Sequence, residues 1–118
     1  MRKVNSSKKL IRFRCWVDID GRKFFGPGRA ELLQMIEETG SIAKAAQSMG
    51  MSYKKAWAAV NEMNSKAKKP YVIVQKVGEK GGGAHLTDTG SRVVKTFNKL
   101  TRRIHSIVEK EKDLLRFI

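Results

Sequence analysis

Three stops, at Gly40-Ser41, at Gly50-Met51-Ser52 and at Pro70, cut residues 29–69 into three consecutive helical segments. A glycine just past the last apolar position accepts the left-handed C-cap, and a serine after it offers an oxygen to the orphan amides of the next helix. From Arg29 to Thr39 the apolar residues Leu32, Leu33, Met35 and Ile36 recur at helical spacing. A second helix runs through Ile42, Ala45 and Ala46 to Met49, and a third from about Tyr53 to Lys68, where Ala56, Val60 and Met63 form a core stripe. Helices joined by so short a turn must cross at close range. Ala45 and Ala46 are small enough to permit it, and Met51 is expected to plug the elbow.

Two β-rich flanks enclose these helices. Residues 10–18 (LIRFRCWVD) alternate, with Ile11, Phe13, Cys15 and Val17 on one side, which predicts a half-buried strand. Asp20-Gly21 is a favoured hairpin turn, so 10–25 is expected to form a β-hairpin. Residues 71–77 (YVIVQKV), the glycine-rich basic tip 78–83 (GEKGGG) and Ala84 to Leu86 predict a second hairpin within 71–87. Thr87 and Asp88 then suit the start of a helix that is expected to fill 88–118. The predicted fold is mostly α with small β, a single domain over residues 1–118: an N-terminal hairpin, three helices, a wing-like hairpin and a long final helix.

Charge restricts the partner. Lys and Arg total 25 against 11 Asp and Glu, a formal net charge of +14. Such a field concentrates polyanions, nucleic acid first among them. From Lys44 to Val108 the only acids are Glu62, Glu79 and Asp88. No apolar run is long enough to cross a membrane and no signal peptide is evident, so the expected place is the cytoplasm and no membrane partner is expected. A lone Cys15 fits a reducing compartment and excludes an intrachain disulfide or a cysteine-based zinc site.

The segment Ser41–Met63 has the build of a helix-turn-helix. Outside its core stripe the third helix keeps Ser52, Tyr53, Lys54, Lys55, Ala58, Asn61 and Ser65, with Trp57 on the flank. Hydroxyls and lysines at a helix start reach phosphates and guanine edges, and an Asn can pair with adenine. Lys44, Ser52, Tyr53, Lys54, Lys55, Trp57 and Asn61 are therefore the candidate DNA contacts, although Trp57 also suits plain packing. The second hairpin, placed directly after, reads as a wing: Lys76 and Lys80 would hold the backbone, and Gly81, Gly82 and Gly83 would allow close approach and offer amides to phosphates. A phosphate loop is excluded by the absence of the GxxxxGK[ST] pattern.

Val93, Phe97, Leu100, Ile104, Ile107, Leu114 and Ile118 follow a heptad seam on the last helix, interrupted by Glu111. A helix of about 30 residues is about 45 Å long, more than a small domain covers. The seam is the predicted dimer interface, and a second copy of the chain the predicted protein partner.

The segment SYKKAWAAVNEMN at 52–64, with the glycine run, Ala84, Leu86, Thr87 and Gly90, resembles the N-terminal DNA-binding domain of the molybdate-responsive regulator family ModE. More distantly, SIAKAAQSMGMS and LTDTG resemble the winged helix-turn-helix of LysR-type regulators. The ModE resemblance implies a homodimer on an inverted-repeat operator, with Ser52, Tyr53, Lys54 and Lys55 in the major groove and Lys80 to Gly83 in the wing contact. Regulators of that family sense oxyanion through a C-terminal domain. No such domain or ligand pocket is evident here, so molybdate binding is not carried over, and the chain is expected to be a one-domain member or a piece of a longer regulator.

Other functions stay open on sequence alone: a nonspecific architectural DNA-binding protein, or an adaptor whose last helix recruits a separate sensor. An enzyme is the weakest class. His85 and His105 have no carboxylate or cysteine at ligand spacing and no G-x-S-x-G is present, so no catalytic residue, metal ligand, cofactor or small-molecule ligand is expected.

Overall fold

The computed structural model describes residues 8–75 and 83–118. Strands β1 (Val17–Ile19) and β2 (Arg22–Phe25) form a hairpin, followed by helices α1 (Pro27–Thr39), α2 (Ile42–Ser48) and α3 (Tyr53–Lys66). Strands β3 (Val72–Gln75) and β4 (Gly83–Leu86) form a second antiparallel pair. Helices α4 (Asp88–Lys110) and α5 (Asp113–Arg116) complete the chain. The architecture is α+β, a winged helix-turn-helix layout with a long C-terminal helix.

Helix ends follow the stops in the sequence. Gly40 closes α1 in the left-handed region at φ 72°, its amide donating to the Ile36 carbonyl. Ser41, Ser52 and Thr87 each accept a bond from the amide three residues on, at Lys44, Lys55 and Gly90. α1 starts two residues ahead of expectation because Pro27, which has no amide to orphan, fits a first-turn position. Leu32, Leu33 and Ile36 of α1 meet Ala45 and Ala46 of α2 and Ala56, Val60 and Met63 of α3 in one core. Met51 packs half-buried against it at the elbow. Phe25 joins the hairpin to the remainder, edge-on to Tyr71 at 6.2 Å and to Phe97 of α4 at 5.2 Å.

Two expectations need correction. The first strand spans only 17–19, not 10–18. Its partner β2 is four residues long and runs straight into α1 at Pro27, so no chain remains to pair with 10–16. That segment instead forms one wall of an open groove against Pro27, Gly28 and Glu31 of α1 and Thr101, His105 and Val108 of α4. The alternation survives weakly: Ile11 and Cys15 are half-buried, while Phe13 and Val17 stay exposed.

The last helix does not run unbroken to 118. It leaves helical geometry at Glu111, whose ψ is 104° and whose Oε1 accepts from the amides of Asp113 (2.9 Å) and Leu114 (3.3 Å). Glu111 thereby starts a new short helix instead of continuing the old one. Leu114 and Ile118 are consequently not on the same helix as the rest of the seam. α4 still projects: the extents are 71 × 29 × 22 Å and the radius of gyration 18.8 Å, against about 13–14 Å for a compact chain of this length.

Candidate nucleic-acid interface

α3 is held with one side inward. Ala56, Val60 and Met63 are fully buried, which fixes the opposite side outward. Lys54, Ala58, Asn61 and Ser65 are exposed there, and Ser52, Tyr53 and Lys55 are exposed at the N-terminal end of the helix. Trp57 sits half-buried on the flank against the core, its ring edge-on to Tyr53 at 6.2 Å. Tyr53 itself is 53% exposed, so the pair presents one half-buried and one open ring. Lys44 is exposed near the start of α2. Lys44, Lys54 and Lys55 form no ion pair among the described residues.

The single carboxylate on α3 is already engaged. Glu62 receives Arg29 at 2.6 Å and Lys66 at 3.4 Å. The hydrogen bond and charge of Arg29, with a smaller contribution from Lys66, hold the Glu62 carboxyl below its ordinary pKa. Arg29 also donates to the Phe24 carbonyl at 2.6 Å, so the pair ties α3 to the end of the first hairpin. The exposed part of α3 and its N-terminal end thus carry cations, hydroxyls, an amide and an aromatic ring, with the one negative charge balanced.

The base of the second hairpin is fastened to α3, α1 and α4. Asn64, at the end of α3, donates to the Val72 carbonyl (2.9 Å) and accepts from the amides of Tyr71 (2.8 Å) and Val72 (3.1 Å). Glu37 of α1 accepts from the Leu86 amide (2.9 Å), and Ala84 donates to the Gly40 carbonyl (2.8 Å). Thr87 donates through its hydroxyl to Pro70 and through its amide to Tyr71. Gly90 lets α4 lie on that strand, because a Cβ there would collide with the Tyr71 carbonyl. Sequence reasoning passed over Asn64 and Glu37. A polar residue on the last turn of a helix before a Pro-containing turn was the available signal for Asn64; nothing local signals Glu37.

Of the predicted wing contacts, Lys76, Lys80, Gly81 and Gly82 lie outside the described residues. Gly83 is at the hairpin base, with φ 109°, and a Cβ there would stand 2.7 Å from the Gly40 carbonyl oxygen. Its glycine identity is therefore explained by packing against α1. His85 and His105 are exposed and far apart in the chain, and no metal-binding group of side chains occurs among the described residues. Among the described residues no helix is long and apolar enough to cross a membrane.

The predicted seam divides along α4. Phe97 is 7% exposed within the domain core and Val93 packs half-buried beside it. Beyond them Leu100 and Ile107 are exposed and Ile104 half-exposed. Leu114 and Ile118 are exposed past the break.

No family model matches the chain. Among curated proteins it is 43% identical over 79 residues to the transcriptional regulator ModE of Yersinia pestis, covering 67% of this chain and 30% of that protein. It is 37% identical over 97 residues to the molybdenum transport protein ModE of Azotobacter vinelandii, 82% of this chain and 36% of that one. The molybdenum-pterin-binding protein MopB of Rhodobacter capsulatus is 40% identical over 75 residues, 64% of this chain and 28% of its own. These relatives lend no support to the more distant LysR-type likeness. The chain spans only about a third of the length of the relatives it matches, and over most of its own length it is similar to the ModE and Mop proteins.

Proposed function

We propose that this chain is a sequence-specific duplex-DNA-binding domain of the ModE type, a transcription regulator that binds an inverted-repeat operator as a homodimer. The observation that carries the reading is the exposed part of α3: Lys54 and Asn61 stand on the side away from the buried stripe, and Ser52, Tyr53 and Lys55 are exposed at the N-terminal end of the helix. A helix about 14 residues long with cations at its N-terminal end fits the major groove, the lysines taking phosphates or guanine edges and Asn61 an adenine. The names of the relatives, transcriptional regulator ModE among them, favour the same function. In this reading the single domain covers the whole chain, with Lys44 on the flanking phosphates. No catalytic chemistry is assigned.

The dimer in this reading forms through the projecting part of α4. Leu100, Ile104 and Ile107 supply its apolar row, extended by Leu114 and Ile118, while Phe97 and Val93 serve the domain's own core. Selection of genomic DNA fragments with the purified protein tests the proposal. The expected product is one motif with twofold symmetry and half-sites one helical turn, or a multiple of it, apart. Recovery of fragments without a shared motif would overturn it.

A further inference from the structure

α4 carries a second cationic surface that the α3 reading does not use. At 100° per residue, Arg92, Lys95, Lys99, Arg102, Arg103 and Lys110 all fall within an arc of about 100° on this helix. Between Arg92 and Lys110 only Ser106 shares that arc, and Glu109 sits just outside its edge. All six cations are exposed, and none forms an ion pair among the described residues. The buried face of the same helix, Gly90, Val94 and Phe97, lies about half a turn away, so the cations point away from the body of the domain.

An ordinary solvated helix mixes signs and gains from Glu–Lys pairs at i,i+4. This one has no carboxylate from Thr89 to Val108, and its like charges at i,i+3 and i,i+4 repel each other. One-signed charge of this kind opposes helix formation and becomes favourable only when a polyanion neutralises it. From Arg92 to Lys110 the row is about 27 Å long, close to the rise of one turn of duplex, which carries one negative charge per about 1.7 Å. The row begins a few residues after Thr87, whose hydroxyl holds Pro70, and Pro70 directly follows Lys68 and Lys69, both exposed at the end of α3. Positive charge therefore continues along the chain from the third helix onto the fourth. The arc contains no apolar residue to enter a lipid interface, which favours a duplex over an anionic membrane.

We infer that the Arg92–Lys110 face of α4 is a second, sequence-independent site for the phosphate backbone of duplex DNA, separate from the groove-facing surface of α3. The inference rests on duplex DNA being the partner of the full chain. It is tested by the salt dependence of binding to a random-sequence duplex, comparing the unaltered chain, a stripe variant (Arg92→Gln, Lys95→Gln, Lys99→Gln, Arg102→Gln) and a groove variant (Lys54→Ala, Lys55→Ala). Each phosphate contact contributes about 0.9 to the slope of log K against log salt, so the four-residue stripe variant should lower that slope by about 3.6. The milder pair Lys95→Gln, Lys99→Gln should lower it by about half as much. Thermal melting of both should stay unchanged or rise, since repulsion is relieved.

A slope unchanged in the stripe variant but lowered in the groove variant would overturn the second site and leave the α3 reading intact. Failure of the unaltered chain to bind any duplex would overturn both. An unchanged DNA slope together with lost binding to phosphatidylserine vesicles would reassign the row to a membrane surface and overturn the inference.

Discussion

Asn64 satisfies three backbone groups of the α3–β3 connection with one side chain. Tyr71 and Val72 are buried, so deleting the amide leaves their polar atoms without an obvious substitute. Asn64→Ala should therefore lower stability by about 1–3 kcal/mol in urea denaturation. Glu62 acts more weakly, because its pair with Arg29 is about a third exposed. Its carboxyl titrates below the ordinary value when folded, so the stabilisation is complete above the unfolded pKa and is lost as pH falls through the folded one. A melting curve measured from neutral pH downward should fall less steeply at its acid end in Glu62→Gln than in the parent. Lys54 and Lys55 belong to a different class, since they make no described contact that folding requires.

Helices with explicit stops were legible in the sequence to within a few residues, because Gly40, Ser41, Ser52 and Pro70 each act locally. The inward stripe Ala56, Val60 and Met63 was legible for the same reason: period alone decides it. Segments whose state depends on a distant partner were not. Residues 10–16 have strand-like alternation yet lack a described neighbour to bond, and Glu111 turned from a blemish in a heptad row into the residue that ends α4 and accepts the first amides of α5. Nor does spacing tell whether an apolar position of α4 faces its own domain or open solvent; Phe97 and Ile107 look alike in the seam and differ wholly in burial. Substitution should separate them. Phe97→Ala should destabilise the fold by about 3–5 kcal/mol in chemical denaturation, as expected for a large ring lost from a packed core. Ile107→Ala should leave that midpoint nearly unchanged at high dilution.

The assembled molecule is a small body with a long projecting helix, 71 Å end to end. In the proposed dimer, burying the exposed row Leu100, Ile104 and Ile107 against a second copy would remove apolar surface from water and bring two α3 helices to one duplex. Analytical ultracentrifugation should show a dimer that Ile104→Asp with Ile107→Asp converts to monomer without loss of helical circular dichroism. A parent chain that sediments as a monomer at all concentrations would remove the twofold operator from the account. The reading of α3 stands apart from assembly and is tested by competition binding, with the selected operator and a random duplex of equal length. The unaltered chain should prefer the operator by about 10³-fold or more. Lys54→Ala with Lys55→Ala, still folded, should lose most of that preference. Equal affinity for both duplexes in the unaltered chain, or an undiminished preference in the double variant, would contradict a DNA-reading role for this helix.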